Sequence, residues 1–391
     1  MERLAELAVV VGANVQPGQL VRISADVVHA ELVRAVADAA YRHGASFVEA
    51  DLSDLLLLRS RVLYAQGEVR GVLPAWWEAG LKQLADAGGA RIMIHAPTAP
   101  GLFDDLEPAR VIRAQPPRSR VWRGVEYLVN NTIVPGPNQA WASSLHPDLG
   151  PGDALNKLRE QIGIACRLDQ PDPAQAWRER FVELRRRAHA LTALDLDEVR
   201  LVGPGTDLRI GLLPTARWEP PTNVNVNGIE HAWNLPSEEV YTVPDPGRAD
   251  GRVRLTRPAV VTGRLVAGVS LTFTDGRLIE ITGGEGVDAL REFIARDSGM
   301  SRLGELALVD DDSAVAGTGQ TFGMILLDEN TAAHIALGFG FPELVDPAER
   351  DHVNKSKDHL DVSVGSVEVS VVGYGRSGRE HALLHAGQWQ F

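Results

Sequence analysis

One cysteine in 391 residues, Cys166, leaves nothing for an internal disulfide to join and rules out a thiolate-rich zinc site. Any metal in this chain must be held by oxygen and imidazole. Positive charge is also scarce: 39 Lys and Arg against 52 Asp and Glu give a formal charge of −13. That deficit argues against affinity for nucleic acid or an anionic membrane, both of which need clustered positive charge. No stretch approaches the roughly 18 uncharged apolar residues of a membrane span, since the run Leu55–Leu58 is followed at once by Arg59. The start, Met1-Glu2-Arg3-Leu4-Ala5-Glu6-Leu7, lacks the basic beginning and apolar core of a secretory signal, so a cytoplasmic protein is expected. What remains is an ordinary globular composition, with 44% hydrophobic and 23% charged residues. At about 150 residues per domain the length suggests two or three domains.

The first hundred residues alternate helix and strand. Leu20–Ile23, Ser46–Ala50 and Arg91–His95 read as strands, and Ala30–Arg42 and Trp76–Ala87 as amphipathic helices closed by Gly44 and Gly88-Gly89. That alternation predicts a layered α/β unit with parallel strands. Residues 105–150 are rich in Pro and Gly and read as a transition. Helices are expected over Asp153–Arg167 and Ala174–Leu194, joined by Pro171-Asp172-Pro173. Beyond residue 198 the chain becomes strand-rich. Val199–Val202, Asp207–Leu212 and Val362–Tyr374 read as strands, and Thr274-Asp275-Gly276-Arg277 as a hairpin turn. The expected organisation is an α/β N-terminal domain over 1–105 and an α+β, strand-rich C-terminal catalytic domain over 106–391, with the boundary somewhere between 105 and 200. Trp76 and Trp77 are expected to fill the N-terminal core, and Cys166 to be packed rather than reactive.

Five residues in the C-terminal half carry candidate chemistry. In His359-Leu360-Asp361 a strand would project imidazole and carboxylate from the same face. His334 follows small residues, and Asn330, a helical turn earlier, is placed to orient it. Glu305 sits inside the apolar run Leu303–Leu308, where a carboxylate needs a cation or a proton. Glu239 lies where Asn234–Glu238 enters a strand. Read singly, each has a plainer account: a strand-end pair, a core histidine, an outward-facing glutamate. Together, three carboxylates and two imidazoles suit a catalytic zinc, cobalt or manganese site and exceed what one open metal takes.

The segments Asn234-Leu235-Pro236-Ser237-Glu238-Glu239-Val240-Tyr241-Thr242, Gly304–Leu308, Glu329–Gly338 and His359-Leu360-Asp361, in this order, resemble the thermophilic aminopeptidase family of the aminopeptidase T and aminopeptidase S type. The resemblance extends over nearly the whole chain, with further support from Gly205–Leu208, Trp141-Ala142 and Asp172–Trp177. It implies a cytosolic, homodimeric metallo-aminopeptidase with two divalent ions per chain (Zn, Co or Mn), acting on short peptides with a free N-terminus. The family's metal-binding glutamates fall on Glu239 and Glu305, its histidines on His334 and His359, and its aspartate on Asp361. Glu239 rather than Glu238 is matched to the metal, and Glu305 is the candidate general base.

One departure stands out. Where the family carries a tyrosine seven residues after the first histidine, this chain has Phe341. Tyr241, two residues after Glu239, supplies a hydroxyl on the same face if that segment is extended. Two other readings remain open on the sequence. His334, His359 and Asp361 form the two-histidine, one-carboxylate set of a mononuclear iron ring-cleaving dioxygenase, although Glu239 and Glu305 would then be surplus. A catalytically silent peptide-binding homologue rests on Phe341 alone.

Overall fold

The computed structural model describes residues 1–65, 72–116, 118–122, 124–262 and 264–391. The chain divides into two compact units, Met1–Arg178 with Thr222–Leu235, and Glu179–Pro221 with Pro236–Phe391.

The first unit is built on a parallel sheet of β1 (Leu20–Asp26), β2 (Phe47–Ser53), β3 (Ala90–His95) and β4 (Asn130–Pro135), in the order β2-β1-β3-β4. The helix Ala30–Arg42 buries Leu32, Val33, Val36, Ala39 and Ala40, the stripe its spacing predicts, and stops before Gly44 at φ +87°. The unit runs well past residue 105 because β4 completes the sheet. This strand lay in the expected transition, hidden by its polar start, Asn130-Asn131-Thr132, all buried. Asn130 Nδ2 donates to the Ala13 carbonyl at 2.6 Å, so polarity here is satisfied inside rather than by solvent. The helix Pro151–Ala165 follows, Pro173–Ala193 starts in this unit and runs on into the second, and Cys166 is fully buried. Trp77 is in the core as expected, with Nε1 donating to Asp51 at 3.0 Å. Trp76 is not: it lies 71% exposed, one residue around the helix from the buried stripe.

The second unit carries two larger antiparallel sheets. The eight-stranded one runs, in spatial order, through Arg277–Thr282, Ser270–Thr274, Pro244–Arg254, Thr206–Leu212, Leu196–Gly203, Ser370–Gly375, Glu380–His385 and Gln388–Trp389. Its predicted hairpin turn forms, with Asp275 at φ +49° and Gly276 at φ +72°, the left-handed pair such tight turns need. The run Val362–Tyr374 is not one strand but two, His359–Ser363 and Ser370–Gly375, which belong to different sheets. The smaller sheet has four strands in the order His359–Ser363, His334–Gly338, Leu303–Val309 and Glu239–Thr242. Each of these four strands contains one or two of the five candidate residues. Among the described residues, no helix is long and apolar enough to cross a membrane.

Candidate metal centre

The register of the small sheet gathers the five residues. Ala336 pairs with Asp361 on one side and with Glu305 on the other. One row away, His334 pairs with Ser363 and Ala307, and Ala307 with Tyr241. His359 pairs with Gly338, and Glu239 with Val309. Residues in register, or two apart, share a sheet face. So His359, Asp361, Glu305, His334 and Glu239 all project from one face. The positions between them are Ala336, Ala307 and Gly338, side chains too small to fill the space above the sheet.

Their tips meet. His334 Nε2 lies 3.1 Å from Glu239 Oε2, and His359 Nε2 lies 3.1 Å from Glu305 Oε2 and 3.0 Å from Asp361 Oδ1. Two three-residue groups result, Glu239–Glu305–His334 and Glu305–His359–Asp361, each with ligand atoms within 4.8 Å of one another, and they share Glu305. Glu305 and His334 are 5% and 1% exposed.

The arrangement calls for a cation. His359 Nδ1 sits 2.7 Å from the Phe339 carbonyl and is committed to donating there. In the neutral ring, Nε2 would then turn a lone pair toward two carboxylates. Glu239 Oε2, although close to His334, is buried without a hydrogen bond of good geometry among the described residues. Burial of so many anions is tolerable only with protons or metal ions between them. The electrostatics say the same. Burial works against a charge on His334, but the Glu239, Asp361 and Glu305 carboxylates hold its pKa up at about 10. His359 is likewise pushed well above its ordinary value, against burial, by Asp361 and Glu305. Burial, reinforced by Glu239 and Asp361, raises Glu305 above the usual carboxylate range, while burial fails to raise Asp361 because His359 holds it down. Oxygen and imidazole donors of this kind fit a divalent metal ion.

Glu238 and Glu239 take opposite sides of their strand entry. The fully buried Glu238 accepts from Arg180 Nε at 2.6 Å and from the Ala314 amide at 3.1 Å. Arg180 also donates to Asp310 at 2.6 Å, and Trp389 Nε1 donates to the other oxygen of Asp310. This buried network anchors the backbone next to Glu239. Asn330 belongs to it: its Oδ1 accepts from the Glu238 amide at 2.6 Å and its Nδ2 donates to the Leu326 carbonyl. The expectation that Asn330 orients His334 is therefore corrected. His334 begins a strand, not a helical turn, and its Nδ1 faces the Ala332 carbonyl at 3.3 Å.

Sequence reading passed over Glu329. It lines the same cleft as Asp361, and burial together with the Asp361 and Glu239 carboxylates drives its carboxyl well above the usual range. An acid immediately before Asn330-Thr331-Ala332-Ala333-His334 was the available signal. The Glu239 strand is extended, so Tyr241 does share the face of Glu239. Its ring packs edge-on against Phe341 with centroids 5.3 Å apart, and Phe341 in turn lies 5.7 Å from the His359 ring.

The chain is 35% identical to aminopeptidase T of Thermus thermophilus, over all of this chain and 98% of that protein. It is 32% identical to aminopeptidase 2 of Geobacillus stearothermophilus with the same coverage. The solved structure of wild-type AmpT from Thermus thermophilus matches with a TM-score of 0.92 at 34% identity, covering 100% of this chain and 98% of that one. The profile of the thermophilic metalloprotease (M29) family matches residues 1–389, and this chain belongs to that family.

Proposed function

We propose that this protein is an aminopeptidase that removes the N-terminal residue from short peptides, with Glu239, Glu305, His334, His359 and Asp361 holding two divalent ions (Zn, Co or Mn). The observation that carries the two-ion reading is the pair of ligand groups meeting at Glu305. When bound, the ions supply Lewis acidity for the scissile carbonyl and lower the pKa of a water. The side chains do the rest. His359 is fixed by its bond to the Phe339 carbonyl, so Nε2 keeps its aim while substrates come and go. Glu305, buried and raised above the usual carboxylate range, takes the proton of the attacking water and returns it to the leaving amine. The anionic face favours a cationic α-ammonium over an acidic terminus, which supports exopeptidase action. A cytoplasmic homodimer, as the family resemblance of the sequence implies, belongs to the same proposal.

The test is turnover of aminoacyl p-nitroanilides after loading with zinc, cobalt or manganese, with metal content measured on the same sample. Two ions per chain with release of p-nitroaniline is the expected result. No turnover at full loading overturns the peptidase reading. The single-iron dioxygenase gains no support from the geometry, because it leaves Glu239 and Glu305 inside the cluster without a task.

A further inference from the structure

The first unit holds a cleft of about 350 Å³ at the carboxyl ends of its parallel strands. Val28 and His29 follow β1, Thr98 follows β3, Pro137 and Asn138 follow β4, and all of them line it. In the order β2-β1-β3-β4, the chain leaves β1 for β2 on one side and resumes on the other as β3. Open α/β sheets take ligands in the crevice that this reversal creates. The floor is fixed. Asn138 Nδ2 donates to the Pro97 carbonyl at 3.1 Å and its Oδ1 accepts from the Trp141 amide at 3.0 Å, tying together the segments that follow β3 and β4. His29 is 2% exposed and sits against Gly136, where a Cβ would stand 2.7 Å from its Nδ1. Its Nε2 is buried with no hydrogen-bond partner among the described residues, an unmet polar group in the lining of the cleft. Glu31 and Arg159 line the cleft from exposed positions, and neither has an ion pair or a side-chain hydrogen bond among the described residues.

Size and charge set the ligand class. Small-molecule sites span roughly 300–1,000 Å³, so this cleft lies at the small end, with room for an amino acid or a dipeptide. A nucleotide phosphate is disfavoured twice. The turn after β1, Val27-Val28-His29, has no glycine to let the backbone approach a phosphate. Glu31, in the first turn of the helix Ala30–Arg42, sets a negative charge where a phosphate would sit. We infer that this cleft binds a free aliphatic α-amino acid, with its carboxylate on Arg159, its ammonium on Glu31 and its side chain against Leu32, Pro137 and Leu155. Leu155 and Arg159 stand one turn apart on the helix Pro151–Ala165 and so share a face. The apolar wall gains from burying methyl and methylene groups. Burial lowers the His29 pKa, which leaves the ring neutral and Arg159 the one cationic side chain of the lining. One free acid and one free base on the same cleft match both ends of a zwitterion and only half of a simple amine or a simple acid. An aminopeptidase releases molecules of this class, but the inference stands without that reading, since no metal and no residue of the second unit takes part.

Calorimetry with L-leucine on the full chain, stripped of metal with EDTA, tests the assignment. An amino acid held by a metal centre is lost with the metal, whereas one held by this cleft is not. L-Leucine should bind the stripped protein with a Kd of about 1 mM or tighter. Isoamylamine and isocaproate, which are leucine without its carboxylate and without its amine, should each bind at least threefold more weakly. R159M and E31Q should each weaken L-leucine binding at least threefold, and the double variant at least tenfold. Both side chains are exposed, so the thermal midpoint of the unliganded variants should stay at the wild-type value. No binding of L-leucine to the stripped protein, unchanged binding in the double variant, or a preference for AMP over L-leucine overturns the assignment. None of these outcomes touches the turnover of aminoacyl p-nitroanilides, so the peptidase reading stands or falls separately.

Discussion

Two buried histidines, one in each unit, meet opposite fates. His231 in the first unit and His334 in the second are both 1% exposed. Burial lowers His231 to about 4, and its one bond to the Asn131 carbonyl does little to offset that. Burial also works against a charge on His334, yet its pKa stands at about 10. The difference is not depth but company: a backbone carbonyl and the Trp233 ring on one side, Glu239, Asp361 and Glu305 on the other. A fold that only needed a packed imidazole would resemble the His231 site. Gathering three carboxylates around His334 and His359 raises an electrostatic cost that only cations remove, so the second unit is shaped for cations that the first does not need.

The sharpest way to break this contrast is to remove the shared carboxylate. E305Q takes one charge from both ligand groups and the proposed base from the reaction. We expect kcat to fall by about 10³ or more and the metal-free His359 to titrate closer to its ordinary value, read by the imidazole NMR signals. A variant that kept its turnover would return Glu305 to a passive role. Next comes the support behind Glu239. R180M leaves Glu238 and Asp310 buried without their cation, a loss of about 3–5 kcal/mol in unfolding free energy. With the strand entry loosened, affinity for metal should drop roughly 10–100-fold. Retention of full metal affinity in a destabilised R180M would separate the network from the site.

The first unit supplies the opposite test. His231 titrates near 4 folded and near 6.5 unfolded, so the unfolded chain takes up the proton first as pH falls. Stability is then fully present above about pH 6.5 and is lost toward pH 4, by up to about 3 kcal/mol. H231F carries no such proton. Its deficit relative to wild type, measured by urea unfolding, should therefore narrow by that amount between pH 7 and pH 4. A constant gap would show that His231 is not held neutral.

Much of this is legible in the sequence, and the limits are physical. The helix Ala30–Arg42 and the Asp275-Gly276 turn announce themselves through local chemistry, periodicity in one case and positive φ in the other. Glu305 betrayed its burial by standing in an unbroken apolar strand. Pairing could not be read: that Ala336 would set Glu305 beside Asp361 depends on two separate registers, between residues 31 and 25 positions apart. Asn330 was misassigned because its partner, the Glu238 amide, lies 92 residues away, while the neighbour that local spacing suggests, His334, sits past the end of the helical turn. Strand β4 escaped because its buried Asn130 and Thr132 look solvated until the Ala13 carbonyl is seen against Asn130.

The smallest expected effect concerns the residue that departs from the family. Phe341 lies in an apolar cluster with Leu213, Val243 and Leu344, and its ring touches both Tyr241 and His359. Tyr241 already presents a hydroxyl-bearing ring from the candidate ligands' own sheet face. If that hydroxyl does the work of the missing one, F341Y adds a second where one suffices, and kcat/KM should change by less than tenfold, or about 1.4 kcal/mol. Y241F should cost more than F341Y gains, and F341Y should recover activity in the Y241F background. A rise of 100-fold in F341Y alone would mean that the position is empty of function in this chain and that Tyr241 does not replace it. Both variants keep the carboxylates, so His334 must stay high in its pKa. That invariance separates a change in the reaction from a change in the anionic cage that distinguishes His334 from His231.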